Sequence, residues 1–263
     1  MTTDFTAATF RSLTVPERKE LIIKKTLTID ANHITDEELK KAYKLAQSVN
    51  PILDPYFQYQ IEQANQNNTD LVSEDQSFLI RSTIDRFTDD FLEWLKQDVQ
   101  IKKDENFPNP SNLFELSGAT LLITSNSVTR TLITKMGHLW EKIANISPYV
   151  IIPESEFGIN IKGIDIILYN DDQVSFAQLK TLKGTLTGSQ TGRAIRELII
   201  HENPLFLVAF DLGRWTFPFR SDIPRIAGKA FWEKIHIDYN LVEGNVITML
   251  QKIDNAFAKL AKR

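Results

Sequence analysis

The stretch GIDIILYNDDQVSFAQLKTLKG, residues 163–184, decides the fold of the chain. Two runs rich in Ile, Leu, Val and Phe flank the polar tetrapeptide NDDQ, a pattern that is typical of two buried strands joined by a turn. The stretch therefore predicts a β-hairpin over residues 163–181, with its turn near residues 171–172.

Three polar side chains interrupt this apolar hairpin. Gln178 and Lys180 lie two positions apart, so on a strand their side chains point to the same face, whereas Leu179 points to the other face and packs. Pairing about the turn places Asp165 across from about residue 178. The sequence therefore predicts that a carboxylate, an amide and an ammonium converge at the end of the hairpin away from the turn.

This combination of groups suits phosphodiester hydrolysis. A carboxylate and a neighbouring amide or carbonyl oxygen can hold a hard Mg²⁺ ion, which polarises the scissile phosphate and lowers the pKa of a bound water. An ammonium nearby can orient that water and stabilise negative charge in the transition state. The alternative is a polar cluster at a sheet edge, with Lys180 simply solvated.

The segments on both sides of the hairpin predict a mixed β-sheet flanked by helices. Residues 128–145 have the apolar spacing of an amphipathic helix that Pro148 ends. PYVIIP at 148–153 and PLFLVAF at 204–210 predict short buried strands, and residues 187–203 predict a loop followed by a helix. The order helix, strands, helix, strand is typical of an α/β fold.

The first 112 residues predict a separate helical region. Capping boxes at Thr14–Glu17 and Thr35–Glu38 indicate two helix starts, and Ser73 is expected to cap a third, longer helix. Pro51 and Pro55 are expected to break the chain after the second helix.

The polar stretch KKDENFPNPSN, residues 102–112, contains two prolines and predicts a domain boundary. We therefore expect a helical domain over residues 1–112. The α/β core would occupy residues 113–263.

The composition excludes several kinds of site. The 263 residues contain no Cys, which excludes disulfides and thiolate metal sites. The N-terminus lacks the charged start and apolar run of a signal peptide, and no run of about 18 apolar residues is present. We therefore expect an intracellular, cytoplasmic protein that does not contact a membrane.

The charge is unevenly distributed along the chain. The formal net charge is −4, but the first 129 residues carry 13 Lys/Arg and 20 Asp/Glu, whereas residues 130–263 carry 17 and 14. The half that contains the hairpin is therefore mildly basic, which permits a polyanionic partner without requiring one.

The hairpin resembles the core of the PD-(D/E)XK nuclease superfamily, and the chain looks most like a type II restriction endonuclease over about residues 125–215. The resemblance implies that Asp165 is the metal-binding Asp, that Lys180 is the catalytic Lys, and that Gln178 fills the middle acidic position. The family's core continues into a helix and a further buried strand, which GRAIRELIIHENPLFLVAF at 192–210 matches.

The resemblance also implies roles for residues outside the hairpin. The family often has a preceding helix that contributes a Glu, and Glu141 occupies that place here. The implied catalytic residues are Asp165, Gln178, Lys180 and Glu141. The implied metal ligands are Asp165, Gln178, Leu179 and Glu141. The expected DNA contacts, near the start of the next helix, are Ser189, Gln190, Arg193 and Arg196. The alternative for the two arginines is an ordinary exposed position.

The sequence departs from the family pattern at two positions. Ile164 stands where the family has a Pro before the Asp, which is a minor change. Gln178 replaces the middle acid, and its amide oxygen can ligate Mg²⁺ but brings no negative charge. Glu141 or Glu156 would therefore have to compensate for the lost charge.

The resemblance implies Mg²⁺-dependent cleavage of double-stranded DNA at a short specific sequence. Because a palindrome is cut on both strands, a homodimer is the natural assembly. The helical domain over residues 1–112 would then serve dimerisation or DNA wrapping. Two alternatives stay open at this point. One is a repair or junction-resolving nuclease on the same core, and the other is a catalytically inactive DNA-binding module.

Overall fold

The computed structural model of the chain describes residues 5–67, 74–99, 109–110 and 112–261. Ser73 and most of the predicted boundary at 102–112 lie outside the described residues. The chain divides into two compact units, and each unit combines segments from both sides of residue 112. Unit 1 comprises Met1–Gln76 and Trp140–Tyr239, and unit 2 comprises Ser77–Leu139 and Asn240–Arg263.

The helices of the described residues are, in chain order, α1 (Ala7–Ser12), α2 (Val15–Thr26), α3 (Glu37–Asn67), α4 (Glu74–Asp98), α5 (Leu113–Leu116), α6 (Thr120–Ala144), α7 (Pro153–Phe157), α8 (Gly188–Leu198), α9 (Lys229–Lys234) and α10 (Tyr239–Ala261). None of the helices in the described part of the chain has the length and apolar character that crossing a membrane requires.

Unit 1 contains a five-stranded mixed sheet in the order β1-β2-β3-β4-β5. The strands are β1 (Val150–Ile151), β2 (Ile166–Asn170), β3 (Gln173–Leu182), β4 (Pro204–Phe210) and β5 (Arg225–Ala227). The first three strands are antiparallel, and β4 and β5 continue the sheet in parallel with β3. The expected α/β class and the mixed central sheet with flanking helices are therefore confirmed.

The predicted hairpin at residues 163–181 is β2–β3. Asn170 pairs with Gln173, so the turn consists of Asp171 and Asp172 alone, as predicted. Both residues have positive φ values, 52° and 55°. Positive φ at both central residues is the geometry of a type I′ turn, whose twist matches that of the two strands it joins.

The main core of unit 1 lies on one face of the sheet. Phe176, Phe206 and Val208 from the strands pack there with Ala194 and Leu198 of α8 and with buried residues of α1, α2 and α3. The N-terminal helices of unit 1 therefore cover the sheet that holds the hairpin.

Unit 2 is helical in its described residues. It contains most of α4, α6 and α10, together with α5. Lys252 Nζ lies 3.5 Å from Asp85 Oδ1, an ion pair between α10 and α4. Ile84 and Phe91 of α4 and Met249 of α10 are buried.

The expected break after the second predicted helix is wrong, because α3 continues through Pro51 and Pro55 to Asn67. A proline inside a helix costs about 3 kcal/mol through the lost N–H and the ring clash. Each fully buried apolar side chain contributes about 1.5–3 kcal/mol, so packing on this segment outweighs that cost. The buried side chains of this segment are Val49, Ile52, Leu53, Tyr56 and Phe57.

Two of the predicted helix starts are found at or next to the expected residue. Thr14 and Glu17 form a capping box at α2, as predicted. At α3 the capping oxygen belongs to Asp36, whose Oδ1 accepts from the Glu38 and Leu39 amides at 2.9 and 3.0 Å. The second start is therefore one residue later than expected.

Candidate functional site

Asp165 lies one residue before β2 and is fixed to β3 at both its backbone and its side chain. Its N–H donates to the Ala177 carbonyl at 2.9 Å, and its Oδ2 accepts from the Leu179 N–H at 2.8 Å. A carboxylate that accepts a backbone N–H is held by a charge-assisted bond. Its position therefore follows from the pairing of the hairpin.

Lys180 reaches the same carboxylate from β3. Its Nζ lies 3.2 Å from Asp165 Oδ2. The two side chains are about one-quarter exposed, at 25% and 26%, so solvent and a ligand can reach the pair. The structure therefore brings Asp165 and Lys180 together at the end of the hairpin away from the turn.

Gln178 is buried on the same strand, with 7% of its surface exposed. Its side-chain Oε1 has no hydrogen-bond partner within the described part of the chain. A buried acceptor without a partner costs about 1–3 kcal/mol of desolvation. Within the described residues, Gln178 therefore carries a buried acceptor oxygen that no protein donor satisfies.

Pairing with β4 shows which face of the sheet carries these side chains. Gln178 pairs with Phe206 and Lys180 pairs with Val208, and directly paired residues point to the same face. Phe206 and Val208 belong to the core cluster that also contains α8 residues. Helix α8 therefore covers the face on which Gln178 and Lys180 lie.

Leu179 contributes its main chain to the same site. Its N–H donates to Asp165, and because the N–H and C=O of one strand residue point to the same neighbour, its carbonyl also lies on the Asp165 side of β3. The Leu179 side chain is 5% exposed and packs on the other face, as predicted. The main-chain carbonyl is therefore a second neutral oxygen beside the carboxylate.

Glu141 and Glu156, the two acids expected to compensate for the missing charge of Gln178, have different surroundings. Glu141 follows Trp140, whose Nε1 donates to Thr181 Oγ1 at 3.0 Å. Thr181 neighbours Lys180 on β3, so its side chain points to the opposite face of the sheet. Glu156, on α7, accepts from Arg18 Nη1 at 2.5 Å and from the Tyr56 hydroxyl. Glu156 is therefore bound within a structural network of α2, α3 and α7.

The four predicted DNA-contacting residues lie on α8 and differ in their surroundings. Ser189 and Arg196 are exposed. Gln190 Oε1 accepts from the Thr187 N–H at 2.8 Å, which completes a capping box. Arg193 Nε donates to Glu197 Oε1 at 2.7 Å, and this bond raises the pKa of the Arg193 guanidinium.

Glu197 lies next to the candidate site, where the sequence did not predict it. It is 4% exposed, and it lies against Gly163, two residues before Asp165. A Cβ placed on Gly163 would lie 2.4 Å from Glu197 Cβ and 3.1 Å from Glu197 Oε2. The signal in the sequence is the Arg193–Glu197 spacing of four, but that spacing is also typical of an exposed helical ion pair.

The residues beside Asp165 fit a hard divalent cation. In the described ranges 5–67, 74–99, 109–110 and 112–261, no three His, Cys, Asp or Glu side chains form a metal-binding group. Carbonyl and amide oxygens also ligate such cations. Gln178 follows Ala177, whose carbonyl accepts from the Asp165 N–H, and its buried Oε1 has no hydrogen-bond partner in the described chain. The Leu179 carbonyl lies on the Asp165 side of β3. The donor set is thus one of mixed oxygens.

Comparison with known proteins adds no family to this description. No protein-family model matches the sequence, and no curated protein matches it.

Proposed function

We propose that the protein is a Mg²⁺-dependent endonuclease that cleaves double-stranded DNA at a short specific sequence. The observation that carries the proposal is the contact between Lys180 Nζ and Asp165 Oδ2 at 3.2 Å. On the same face of the sheet, the buried Oε1 of Gln178 has no hydrogen-bond partner among the described residues. A cation, an anion and neutral oxygens in one partly exposed place suit phosphoryl chemistry.

The chain's own residues have distinct roles in this proposal. Asp165, Gln178 and the Leu179 carbonyl would hold the divalent cation, and Glu141 is a further predicted ligand. When bound, Mg²⁺ would polarise the scissile phosphate and make the attacking water more acidic. Lys180 would orient that water and stabilise the charge that develops on the phosphate.

The order of the elements supports the resemblance to the PD-(D/E)XK core. A helix, α6, precedes the antiparallel strands β1 to β3, and α8 then leads to β4, which lies parallel to β3. This is the sequence of helix, hairpin, helix and further buried strand that the resemblance implies. The site also lies toward the carboxyl end of β3, where open α/β sheets commonly bind their ligands.

Basic residues near the sheet and on the N-terminal helices supply contacts for a DNA backbone. Arg196 of α8 is exposed, and Lys40, Lys41 and Lys44 line a groove between α2 and α3. Contacts of this kind add affinity that falls with rising salt. Cutting both strands of a palindrome calls for two active sites, so the proposed assembly is a homodimer.

The experiment that tests the proposal is cleavage of plasmid and phage DNA by the purified protein in Mg²⁺, followed by sequencing of the fragment ends. Discrete fragments with a common end sequence are expected. Lys180→Ala should abolish cleavage while leaving DNA binding in a gel shift largely intact, and exposed Lys229 on α9 provides the matched control Lys229→Ala. Unchanged cleavage by Lys180→Ala would remove Lys180 from the mechanism.

The neutral side chain at Gln178 favours a second candidate, a DNA-binding module without catalytic activity. This candidate predicts a gel shift without cleavage in Mg²⁺, Mn²⁺ or Ca²⁺. Cleavage confined to branched or damaged DNA would instead support a repair or junction-resolving nuclease.

A further inference from the structure

The buried acid on α8 is unusual among the acidic residues of the protein. Glu197 is 4% exposed, whereas the other Asp and Glu side chains in the described residues are half-buried or exposed. Carboxylates are seldom fully buried unless they are paired or bind a cation. Arg193 pairs with Oε1 of Glu197, and the other carboxylate oxygen is Oε2.

The second oxygen of Glu197 points toward the segment that carries Asp165. Oε2 lies 3.1 Å from the Cβ position of Gly163, and Asp165 follows two residues later. Two residues span at most about 7 Å of extended chain. The Glu197 carboxylate therefore lies in the neighbourhood of the Asp165 carboxylate.

Gly163 is what permits this approach. Its φ is +81°, in the region that favours glycine, and a Cβ there would collide with Glu197 Cβ at 2.4 Å. The chain thus has no side chain where Glu197 of α8 packs against the segment that leads into β2.

Glu197 also lies on the side of the sheet that carries the candidate site. Ala194, Leu198 and Glu197 share one face of α8, and the first two pack in the cluster with Phe206 and Val208, the strand partners of Gln178 and Lys180. Gln178 Oε1, buried and without a partner in the described chain, lies on this same face.

We infer that Glu197 supplies the second carboxylate of the divalent-cation site, in place of the charge that Gln178 lacks. The inference rests on the proposed function. Asp165 and Glu197 together would bring two negative charges to the site. Neutral oxygens can ligate a divalent cation but do not balance its charge. Arg193 is then a positioning residue, because it holds one oxygen of Glu197 and orients the other.

The inference is tested by binding of Mn²⁺ alone, since Mn²⁺ takes the same oxygen ligands as Mg²⁺. In isothermal titration calorimetry, Glu197→Gln should weaken Mn²⁺ binding by roughly tenfold or more. The control Glu20→Gln, an exposed Glu on α2, should bind as the unaltered protein does. Adding Gln178→Glu to Glu197→Gln returns a charge to the same face of the sheet and should restore affinity.

A second measurement does not depend on how well the Glu197 variant folds. In the unaltered protein, Mg²⁺ should shift the side-chain carboxylate carbon resonances of Asp165 and Glu197 and leave that of Glu20 unchanged. A shift at Asp165 and Glu141 with an unchanged Glu197 carboxylate would place the second acid on α6 and overturn the inference.

The outcomes also separate this inference from the proposed function. Mn²⁺ binding that is lost in Asp165→Asn but equals the unaltered protein in Glu197→Gln overturns the inference alone. An unaltered protein that neither binds Mn²⁺ nor cleaves DNA overturns the proposed function as well.

Discussion

Asp165 Oδ2 accepts two hydrogen bonds from adjacent residues of β3, one from the Leu179 N–H at 2.8 Å and one from Lys180 Nζ at 3.2 Å. The same oxygen is therefore bound both to the backbone of the hairpin and to the ammonium of the candidate site. The backbone bond orients the carboxylate, and the ammonium is the group that would act on a phosphate.

Two substitutions of Asp165 should separate these functions. Asp165→Asn keeps an oxygen that can accept the Leu179 N–H, so the free energy of unfolding should change little while Mg²⁺-dependent cleavage is lost. Asp165→Ala leaves the N–H without its acceptor and should cost a further ~1–2 kcal/mol of stability. Urea unfolding and plasmid cleavage measure the two effects. Equal stability of the two variants would contradict the orienting role of the backbone bond.

The close approach of α8 to Gly163 gives a second prediction. Gly163→Ala adds a Cβ at 2.4 Å from Glu197 Cβ on a backbone with φ +81°. The clash and the backbone strain should lower the free energy of unfolding by roughly 2–3 kcal/mol and weaken cleavage by displacing the segment that leads to Asp165.

Gly137 on α6 is the matched control for this substitution, since a Cβ there would meet no atom within 4 Å. Gly137→Ala should stabilise the helix by about 0.5–1 kcal/mol because alanine loses less entropy than glycine on folding. Thermal unfolding of both variants provides the comparison. A Gly163→Ala protein as stable as the unaltered one would show that Glu197 of α8 does not pack this closely against Gly163.

The sequence predicted the hairpin and its polar cluster because both follow from local periodicity. Alternation puts Gln178 and Lys180 on one face, and the two-residue turn sets the register that brings Asp165 to Lys180. Glu197 could not be found in this way. Its role depends on how α8 packs on the sheet, and four-residue spacing from Arg193 describes an exposed ion pair equally well.

Helix α3 also shows that tertiary packing can outweigh a local sequence pattern. Pro51 and Pro55 are strong local breakers, and the sequence alone predicts a chain break there. Their cost is exceeded only because the neighbouring side chains, such as Leu53 and Phe57, are completely buried in the core of unit 1. That burial is a property of the assembled fold and is absent from the local pattern.

His201 gives a prediction on pH. The imidazole is 5% exposed and stacks on Phe176 with ring centroids 5.5 Å apart, and both ring nitrogens lack a hydrogen-bond partner in the described chain. Burial lowers the pKa of His201 from 6.5 to about 4. Between those values the unfolded chain binds the proton and the folded protein does not, so stability falls as pH falls from about 6.5 to about 4.

The loss that His201 contributes over this window is about 3 kcal/mol, at 1.36 kcal/mol for each unit of pKa. His201→Leu removes the titrating group, so its free energy of unfolding should decline less between pH 7 and pH 4.5 than that of the unaltered protein. Exposed His33 supplies the control variant His33→Leu, which should keep the original slope. Parallel pH profiles for all three proteins would rule out His201 as a source of acid sensitivity.

Substitutions in the turn of the hairpin should change the stability of the protein without changing its activity. Asp172 has φ 55°, a conformation that glycine adopts without strain and β-branched residues strongly resist. Asp172→Gly should therefore stabilise the protein by about 0.5–1 kcal/mol, and Asp172→Val should destabilise it by about 1–2 kcal/mol. Because the turn lies at the opposite end of the hairpin from Asp165, DNA cleavage by the folded Asp172→Gly protein should equal that of the unaltered protein. A loss of cleavage in this more stable variant would mean that the turn itself takes part in the site.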